Sequence, residues 1–174
     1  MCTTLAAALL LYFISLKTIG YSYMNDPHTL NLRSAIPKDL DKIYSLEQLC
    51  NKNSWSRNSL FEELSKISSV NTVLENGQKE IIGFLCSTLI LNELHILEVA
   101  IHPFHRNKGL GCSLINHLLR EAITKKVTLI LLEVRVSNHS AIRVYEKCGF
   151  MRDALRIGYY QDGEDAILMS KTIN

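Results

Sequence analysis

Two basic side chains and two glycines stand together between Arg106 and Gly111, directly before a predicted helix and after a predicted strand over Leu94–Ile101. The first turn of a helix leaves backbone N–H groups without partners, and its dipole favours negative charge. Glycines let that backbone approach an anion, and Arg106 and Lys108 add positive charge. The pattern predicts a pyrophosphate cradle. It is not a Walker loop or a dinucleotide fingerprint, because no G-K-[ST] follows and position 114 is Leu.

Further motifs follow in the second half of the chain. They are Leu132-Glu133-Val134-Arg135-Val136-Ser137-Asn138, Tyr145-Glu146-Lys147-Cys148-Gly149-Phe150, the Tyr159-Tyr160 pair and the run from Gly163 to Lys171. Together with the basic loop after a Val-Ala-Ile strand, they resemble the GNAT acetyltransferase superfamily and, within it, the RimI type. Enzymes of that type acetylate the N-terminal alanine of a small-subunit ribosomal protein. The resemblance covers about residues 30–172, which we take as the GNAT domain.

The resemblance implies acetyl-CoA as co-substrate and no metal. In the family, a splayed strand pairs with the pantetheine arm and receives the acetyl carbonyl; here that strand matches Val99, Ala100 and Ile101. Its exposed N–H groups can stabilise a developing oxyanion. Asn138 matches a cofactor-contacting asparagine and also fits a helix cap. The residues that match the pyrophosphate binder are Arg106, Asn107, Lys108, Gly109, Leu110, Gly111 and Cys112.

The resemblance also implies a general base, Glu133, and a general acid, Tyr145. A protein α-amine has a pKa of about 7.7–8.0, so much of it is protonated and cannot attack a thioester. Glu133 would remove that proton directly or through water, and we expect partial burial at its strand end to strengthen it as a base. Tyr145 would protonate the leaving thiolate. Glu98, on the neighbouring strand, is the alternative base, and neither Cys112 nor Cys148 is expected to be a nucleophile.

The Tyr159-Tyr160 pair falls on the predicted closing hairpin, where the resemblance places the acceptor groove. Adjacent strand residues face opposite ways, so we expect one tyrosine to line the groove and the other to pack. Aromatic walls would hold a small first residue of the acceptor, and Glu98 is a further candidate for contact with it. Ser54 and Gln161 replace prolines that are usual in the family's acceptor-side elements, so they bear on acceptor choice.

Positioning these residues requires one mixed α/β domain. The resemblance implies the GNAT fold, a mostly antiparallel sheet that is splayed at the cofactor site and flanked by about four helices. Periodicity predicts helices from Pro37, after a Ser56 cap and from Gly109. The other predicted elements are a hairpin at Asn76-Gly77 between Val70–Leu74 and Ile81–Leu89, a strand buried on both faces over Val127–Val134, a helix over Ser140–Lys147, and closing strands over Met151–Tyr159 and Asp165–Lys171.

The apolar composition is concentrated at one end of the chain. Of 174 residues, 47% are hydrophobic, and residues 1–23 contain 16 of these with one charge. The apolar stretch Leu5–Leu16, in which Ser15 is the one polar residue, is shorter than the roughly 20 residues of a spanning helix. We interpret residues 1–24 as an extension outside the domain, produced by a start codon upstream of Met24 or serving as a targeting or anchor segment. Membrane association is expected only if this extension is retained.

Charge and cysteine content exclude other classes of protein. The net charge of +2 argues against a nucleic-acid-binding surface. Five cysteines without a C-x-x-C pair indicate a reducing compartment, and His102 and His105 have no cysteine nearby to complete a metal site. We therefore expect the cytoplasm, or an organelle interior if residues 1–23 are a targeting segment. A monomer is the default expectation, since the sequence carries no signal for the oligomeric state.

Three functions remain open at this point. The first is acetyl transfer to the N-terminal alanine of a ribosomal protein, which would be the partner. The second is the same chemistry on lysine side chains or a small-molecule amine. The third is a module that binds coenzyme A without catalysis. Glu133 and Tyr145 together favour an enzyme, and Tyr159-Tyr160 favours a peptide acceptor.

Overall fold

Seven strands form one sheet in a computed structural model that describes residues 29–51 and 54–173. The strands are β1 (Asn31–Ser34), β2 (Thr72–Glu75), β3 (Ile81–Ile90), β4 (Glu93–Ile101), β5 (Leu129–Arg135), β6 (Met151–Arg156) and β7 (Ala166–Thr172). The α-helices of the described residues are α1 (Leu40–Cys50), α2 (Arg57–Ser65), α3 (Leu110–Thr124) and α4 (His139–Lys147).

The sheet has the order β1-β2-β3-β4-β5-β7-β6. Neighbouring strands are antiparallel except β4 and β5, which run parallel. A parallel pair needs a crossover connection, and α3 supplies it. The mixed α/β fold with a mostly antiparallel sheet and about four helices is therefore confirmed.

Each face of the sheet has its own apolar core. Phe84 and Leu85 are adjacent on β3, and both are fully buried, but they belong to different cores because strand side chains alternate between faces. Helix α3 covers one face through residues such as Leu114 and Leu118. Helices α1 and α2 cover the other face through residues such as Ile43 and Leu60.

Local signals placed several elements correctly. Asn76 and Gly77 lie in the turn between β2 and β3, where the Asn76 side chain accepts hydrogen bonds from the N–H groups of Gln78 and Glu80. Ser56 caps α2, because its hydroxyl accepts a hydrogen bond from Ser59 N at 3.0 Å. In the turn and at the helix start, a side chain thus satisfies backbone N–H donors that would otherwise lack partners.

Other expectations about elements are wrong. Strand β5 is not buried on both faces: Ile130, Leu132 and Val134 are buried, while the residues between them are half-exposed. Strand β6 ends at Arg156 rather than Tyr159. The residues from Pro37 form a 3₁₀ turn before α1, and β1 was not predicted, since four residues carry too little pattern.

The predicted extension over residues 1–24 lies outside the described residues. Of the helices between residues 29 and 173, none combines the length and apolar character that a bilayer crossing requires.

A charged triad ties the start of α1 to the sheet. Arg33 on β1 donates to Asp39 at 2.7 and 2.9 Å and to Glu75 on β2 at 2.6 Å. Hydrogen bonds from Arg33 hold the pKa of Asp39 below its usual value. At Glu75, burial alone would raise the pKa, but hydrogen bonds from Arg33 and Asn31 outweigh it and lower the pKa. Both carboxylates are thus ionised and depend on Arg33.

Replacing Arg33 by Met should lower the free energy of unfolding by about 2–3 kcal/mol at pH 7, because two largely buried carboxylates lose their partner. Lowered folded-state pKa values give stability that is present above about pH 4 and is lost as the pH falls. The deficit of R33M should therefore shrink below pH 4 in urea unfolding. The exposed Arg57–Asp41 pair is the control: R57M should cost less than about 1 kcal/mol. An R33M deficit that is independent of pH would contradict this account.

Candidate active site

Strands β4 and β5 pair over only four residues, Glu93–Ile96 with Leu129–Leu132. Past this point the register between β3 and β4 shifts and leaves Leu97 outside the pairing, while β5 continues beside β7 to Arg135. A bulge of this kind bends and twists its strand. The two parallel strands diverge at their carboxyl ends, and a cavity of about 1090 Å³ opens between them.

The wall of this cavity is rich in groups that carry or transfer protons. It includes two carboxylates from the diverging strands, a buried phenol from α4 and two further tyrosines. Seven of the sixteen predicted site residues line it: Glu98, Val99, Glu133, Asn138, Tyr145, Tyr159 and Tyr160.

The register of β4 determines which peptide groups face the cavity. His102 N donates to Ile82 O on β3 at 2.9 Å, so this pair is hydrogen-bonded. Hydrogen-bonded pairs alternate with non-hydrogen-bonded pairs along an antiparallel ladder. The peptide groups of Ala100 therefore point to β3, and those of Val99 and Ile101 point away from it, towards the divergence from β5.

Side chains already occupy part of this free backbone edge. Ile101 O accepts hydrogen bonds from Arg106 Nε at 3.0 Å and from Cys50 Sγ at 3.4 Å. Val99 N donates to Glu98 Oε1 at 3.2 Å. The edge thus presents one N–H group that is covered by a carboxylate from its own strand.

Glu133 lies on β5 and forms an ion pair. Its Oε1 atom is 2.9 Å from Arg156 Nη1 on β6, and 28% of its side chain is exposed. The same guanidinium lies 5.4 Å from the ring centroid of Tyr159. The Glu133 carboxylate is thus charged, oriented and open to the cavity.

Glu98 has a different environment from Glu133. It opens to the cavity on one side, has no ion pair with a described residue, and lies near Glu47, which is completely buried in α1. Burial, followed by the negative charge of Glu47, raises the pKa of Glu98 to about 7, against the hydrogen bonds from Asn51 and Val99. Both carboxylates are thus partly buried, but Glu98 has a second acid beside it where Glu133 has an arginine.

A polar network supports the Glu98 side of the cavity. Glu47 accepts hydrogen bonds from Asn51 Nδ2 at 2.7 Å and from Trp55 N at 3.1 Å. Burial raises the pKa of Glu47. Asn51 also acts on Glu98, whose pKa it lowers, so one side chain adjoins the two acids.

Tyr145 projects from α4 into the cavity wall and is only 8% exposed. Its ring packs 5.9 Å from that of Phe150, so it belongs to the core as well as to the site. Burial, followed by the charge of Glu98, raises the pKa of the phenol. Tyr145 therefore remains protonated and can serve as a proton donor.

Tyr159 and Tyr160 both line the cavity, so the expectation that they face opposite ways is wrong. Because β6 ends at Arg156, the two residues lie in the loop before β7, where strand alternation does not apply. Their rings meet edge to face with centroids 5.1 Å apart.

Arg135, at the end of β5, holds this loop in place. Its guanidinium carbon lies 3.8 Å from the ring centroid of Tyr160, and Nη1 donates to Asp162 at 2.9 Å and to Glu164 at 2.7 Å. Glu164 also accepts a hydrogen bond from Ser137 N at 3.0 Å. One loop is thus fastened both to the strand that carries Glu133 and to the segment that precedes α4.

The predicted cradle lies beyond the cavity wall. Gly109 adopts φ 79° as the N-cap of α3 and provides no side-chain cap, so first-turn N–H groups remain for an outside acceptor. Arg106 and Lys108 are exposed beside it. The other nine predicted site residues do not line the cavity and lie either in the cradle or on β4. They are Ala100, Ile101, Arg106, Asn107, Lys108, Gly109, Leu110, Gly111 and Cys112.

Three of the predicted cofactor residues have structural roles as well. Asn138 caps α4 by accepting a hydrogen bond from Ala141 N at 3.1 Å, and it also lines the cavity. The side chain of Leu110 is buried in the core, which leaves its backbone for an anion. Cys112 is half-buried and contacts the Cys148 side chain by a hydrogen bond.

Sequence reasoning missed part of the site. The cavity wall contains unassigned residues such as Asn51 and Arg135. The signal for an acidic network was Glu47, an ionisable residue on the apolar face of α1, in line with Ile43 and Leu40. For Arg135 no local signal existed, since its partners lie 27 and 29 residues away.

Comparison with known families agrees with this geometry. The model of the acetyltransferase (GNAT) family matches residues 40–150. The chain belongs to this family. The resemblance stated from the motifs is confirmed, and the protein is an acetyltransferase that uses acetyl-CoA as its co-substrate.

Individual relatives extend the comparison over most of the chain. Ribosomal protein bS18-alanine N-acetyltransferase of Escherichia coli K12 is 32% identical over 139 residues, 78% of this chain and 93% of the relative. The crystal structure of the ribosomal-protein-S18-alanine N-acetyltransferase from E. coli superposes with a TM-score of 0.79 at 31% identity, covering 84% of this chain and 95% of that one. Spermidine N-acetyltransferase from Vibrio cholerae, in complex with CoA and spermine, has a TM-score of 0.71 at 25% identity, covering 83% and 95%.

The residues present fit acetyl-CoA. The uncapped start of α3, with Arg106 and Lys108 beside it, suits the phosphates, and the free edge of β4 suits the amide arm. The helix start and the strand edge follow one another in the chain, so both ends of an extended donor can be held together. Within the described part of the chain, no group of three or more His, Cys, Asp or Glu residues could hold a metal ion.

The two glycines of the cradle should respond differently to substitution by Ala. At Gly109, φ 79° is unfavourable for any side chain, so G109A should cost about 1 kcal/mol of stability and weaken coenzyme A binding about fivefold. At Gly111, an added Cβ would lie 3.4 Å from Val144 Cγ1, an ordinary contact. G111A is therefore the matched control for backbone strain and should not lower stability. Thermal unfolding and calorimetric titration measure stability and binding, and equal effects of the two variants would refute this distinction.

Proposed function

We propose that the protein acetylates the α-amine of a protein that begins with alanine, and that this acceptor is a small-subunit ribosomal protein. One observation carries the proposal: two carboxylates and a buried phenol converge beside a free strand edge, which suits amine deprotonation and thiolate protonation in one cavity. The E. coli relative, which is named for this reaction on bS18, supports the choice of acceptor.

Glu133 serves as the general base. A carboxylate accepts the proton that an ammonium group must lose before its nitrogen can attack. The ion pair with Arg156 fixes the position of the Glu133 carboxylate and leaves its cavity side open. A water molecule between Glu133 and the amine would extend its reach without changing this role.

Tyr145 serves as the general acid. Acetyl-CoA supplies an acetyl group activated as a thioester. The new C–N bond forms as the C–S bond breaks, and the sulfur leaves with the electron pair and needs one proton. The amine nitrogen gives up two protons: Glu133 takes the first, and the second replaces the proton that Tyr145 donates to sulfur. The raised pKa of Tyr145 keeps the phenol protonated until this step.

The donor is held by backbone and loop groups. The N–H groups of Val99 and Ile101 face the divergence and can bind the acetyl oxygen and the pantetheine arm, as Asn138 binds from the other wall. Arg106 and the start of α3 hold the phosphates. Preorganised N–H donors of this kind stabilise charge that develops on oxygen.

The acceptor enters beside the tyrosine loop. Tyr159 and Tyr160 line the cavity with two rings that Arg135 and Arg156 contact. Rings on this wall favour a small first residue, and the carboxylates Glu98 and Glu133 favour a free ammonium group. These features support a peptide N-terminus that begins with alanine.

Incubation with acetyl-CoA should add one acetyl group to a peptide that carries the N-terminus of the bS18 protein of the same organism. Mass spectrometry of the product, with fragmentation, should place the group on the α-amine. The same peptide with its α-amine blocked should gain nothing, although its lysines remain free. Acetylation of the blocked peptide, or of spermidine alone, would move the acceptor to a lysine side chain or a small-molecule amine.

Replacing Glu133 by Gln, or Tyr145 by Phe, should each lower kcat about 100-fold, because each variant loses one proton-transfer group. The dissociation constant of acetyl-CoA should remain close to that of the unmodified enzyme in calorimetry. Glu146→Gln is the matched control, since Glu146 is exposed on α4 and pairs only with Arg152 among the described residues. An unchanged kcat for E133Q would transfer the role of base to Glu98.

A further inference from the structure

We propose that Glu98 covers the Val99 N–H group until an acetyl group arrives, and that its displaced carboxylate then binds the ammonium group of the acceptor. The proposal rests on the proposed acetyl transfer to an amine. It makes Glu98 an acceptor-binding residue that becomes available only when the donor carries its acetyl group.

The covering contact is a direct one. Glu98 Oε1 accepts a hydrogen bond from Val99 N at 3.2 Å, so the side chain folds back on the peptide of the next residue. Val99 and Ile101 provide the N–H groups of β4 that point away from β3 in this segment. Glu98 therefore occupies an N–H group that the acetyl oxygen needs.

One N–H group cannot serve the carboxylate and the acetyl oxygen equally well. Acetyl-CoA brings a carbonyl oxygen to this edge, whereas coenzyme A has none. Binding of acetyl-CoA should thus release the carboxylate, and binding of coenzyme A should leave it in place. Coenzyme A also carries a free thiol in place of the thioester, which is largely protonated near pH 7, and the remaining groups of the two ligands are the same.

The released carboxylate has a defined place to go. Glu98 lines the cavity that also contains Glu133 and Tyr145, and Asn51, which donates to the buried Glu47, lies on the same wall. Because the carboxylate starts in contact with the N–H that receives the acetyl oxygen, it remains next to the reacting carbon. An ammonium group that it binds there is therefore close to its target.

Protonation should report the displacement. The hydrogen bond from Val99 N favours the charged carboxylate, so its loss favours proton uptake while no acceptor is bound. The ammonium group of an arriving acceptor favours the charged form again and displaces that proton. No described cation pairs with Glu98. The titratable groups that interact with it come from every neighbouring element: Glu47 and Cys50 of α1, Cys86 of β3, Tyr145 of α4 and Tyr160 of the loop before β7.

The first test measures proton uptake by the unmodified protein. Acetyl-CoA and coenzyme A are each titrated near pH 7 in two buffers with different ionisation enthalpies. The protein should take up more protons when it binds acetyl-CoA than when it binds coenzyme A. This difference should vanish in Glu98→Gln. Equal uptake for both ligands, or a difference that persists in E98Q, would overturn the proposal. No acceptor is present, so a wrong acceptor leaves this result intact.

The second test separates binding of the two substrates. In Glu98→Ala, the Val99 N–H is open, so acetyl-CoA should bind as tightly as before or more tightly. The KM of whichever amine proves to be the acceptor should rise about tenfold, because its ammonium loses a charged partner. Glu93→Gln, at the far end of the same strand and outside the cavity wall, should change neither value. An E98A variant with weaker acetyl-CoA binding and an unchanged acceptor KM would refute the proposal.

Discussion

The separation of β4 from β5 is the constraint on which the site depends. Four residue pairs join the strands, and beyond them the peptide groups of β4 are satisfied by β3 on one side only. Backbone N–H and C=O groups that are removed from water need hydrogen-bond partners, and side chains supply them along this edge. Arg106 and Cys50 bind the carbonyl of Ile101, and Glu98 binds the N–H of Val99. The bulge at Leu97 thus creates both the cavity and the hydrogen-bonding groups that line it.

The two carboxylates differ because the two strands offer different partners. Glu133 on β5 reaches the exposed strand β6 and an arginine, whereas Glu98 on β4 faces α1 and a second acid. An arginine partner favours the ionised form, and burial beside another carboxylate disfavours it. Burial, followed by the charge of Glu98, also raises the pKa of Tyr145 and keeps the phenol protonated. Two carboxylates in one cavity are thereby distinguished by environment rather than by residue type.

Sequence patterns were informative where structure is local. The apolar period of α3, the turn residues Asn76 and Gly77, and the Asn138 cap each predicted an element that the structure contains. The family motifs identified the residues of the diverging strands, since those motifs are contiguous. The Arg135 interactions with Asp162 and Glu164 could not be foreseen, because they depend on how β7 returns beside β5. The expectation that Tyr159 and Tyr160 face opposite ways was wrong for a related reason. The end of a strand is determined by pairing across the sheet, not by the residues of the strand alone.

The fastening of the tyrosine loop explains why acceptor choice and acetyl transfer can vary separately. Arg135 and Ser137 hold Asp162 and Glu164, and Arg135 also stacks on Tyr160. Arg156 links Tyr159 to the Glu133 carboxylate, so this tyrosine is not independent of the group proposed as base. The Gln161 side chain takes part in none of these contacts, and a change there, where the family usually has proline, alters the entrance without disturbing them. Substrate range can therefore change through Gln161 while the contacts of Glu133 and Tyr145 stay the same.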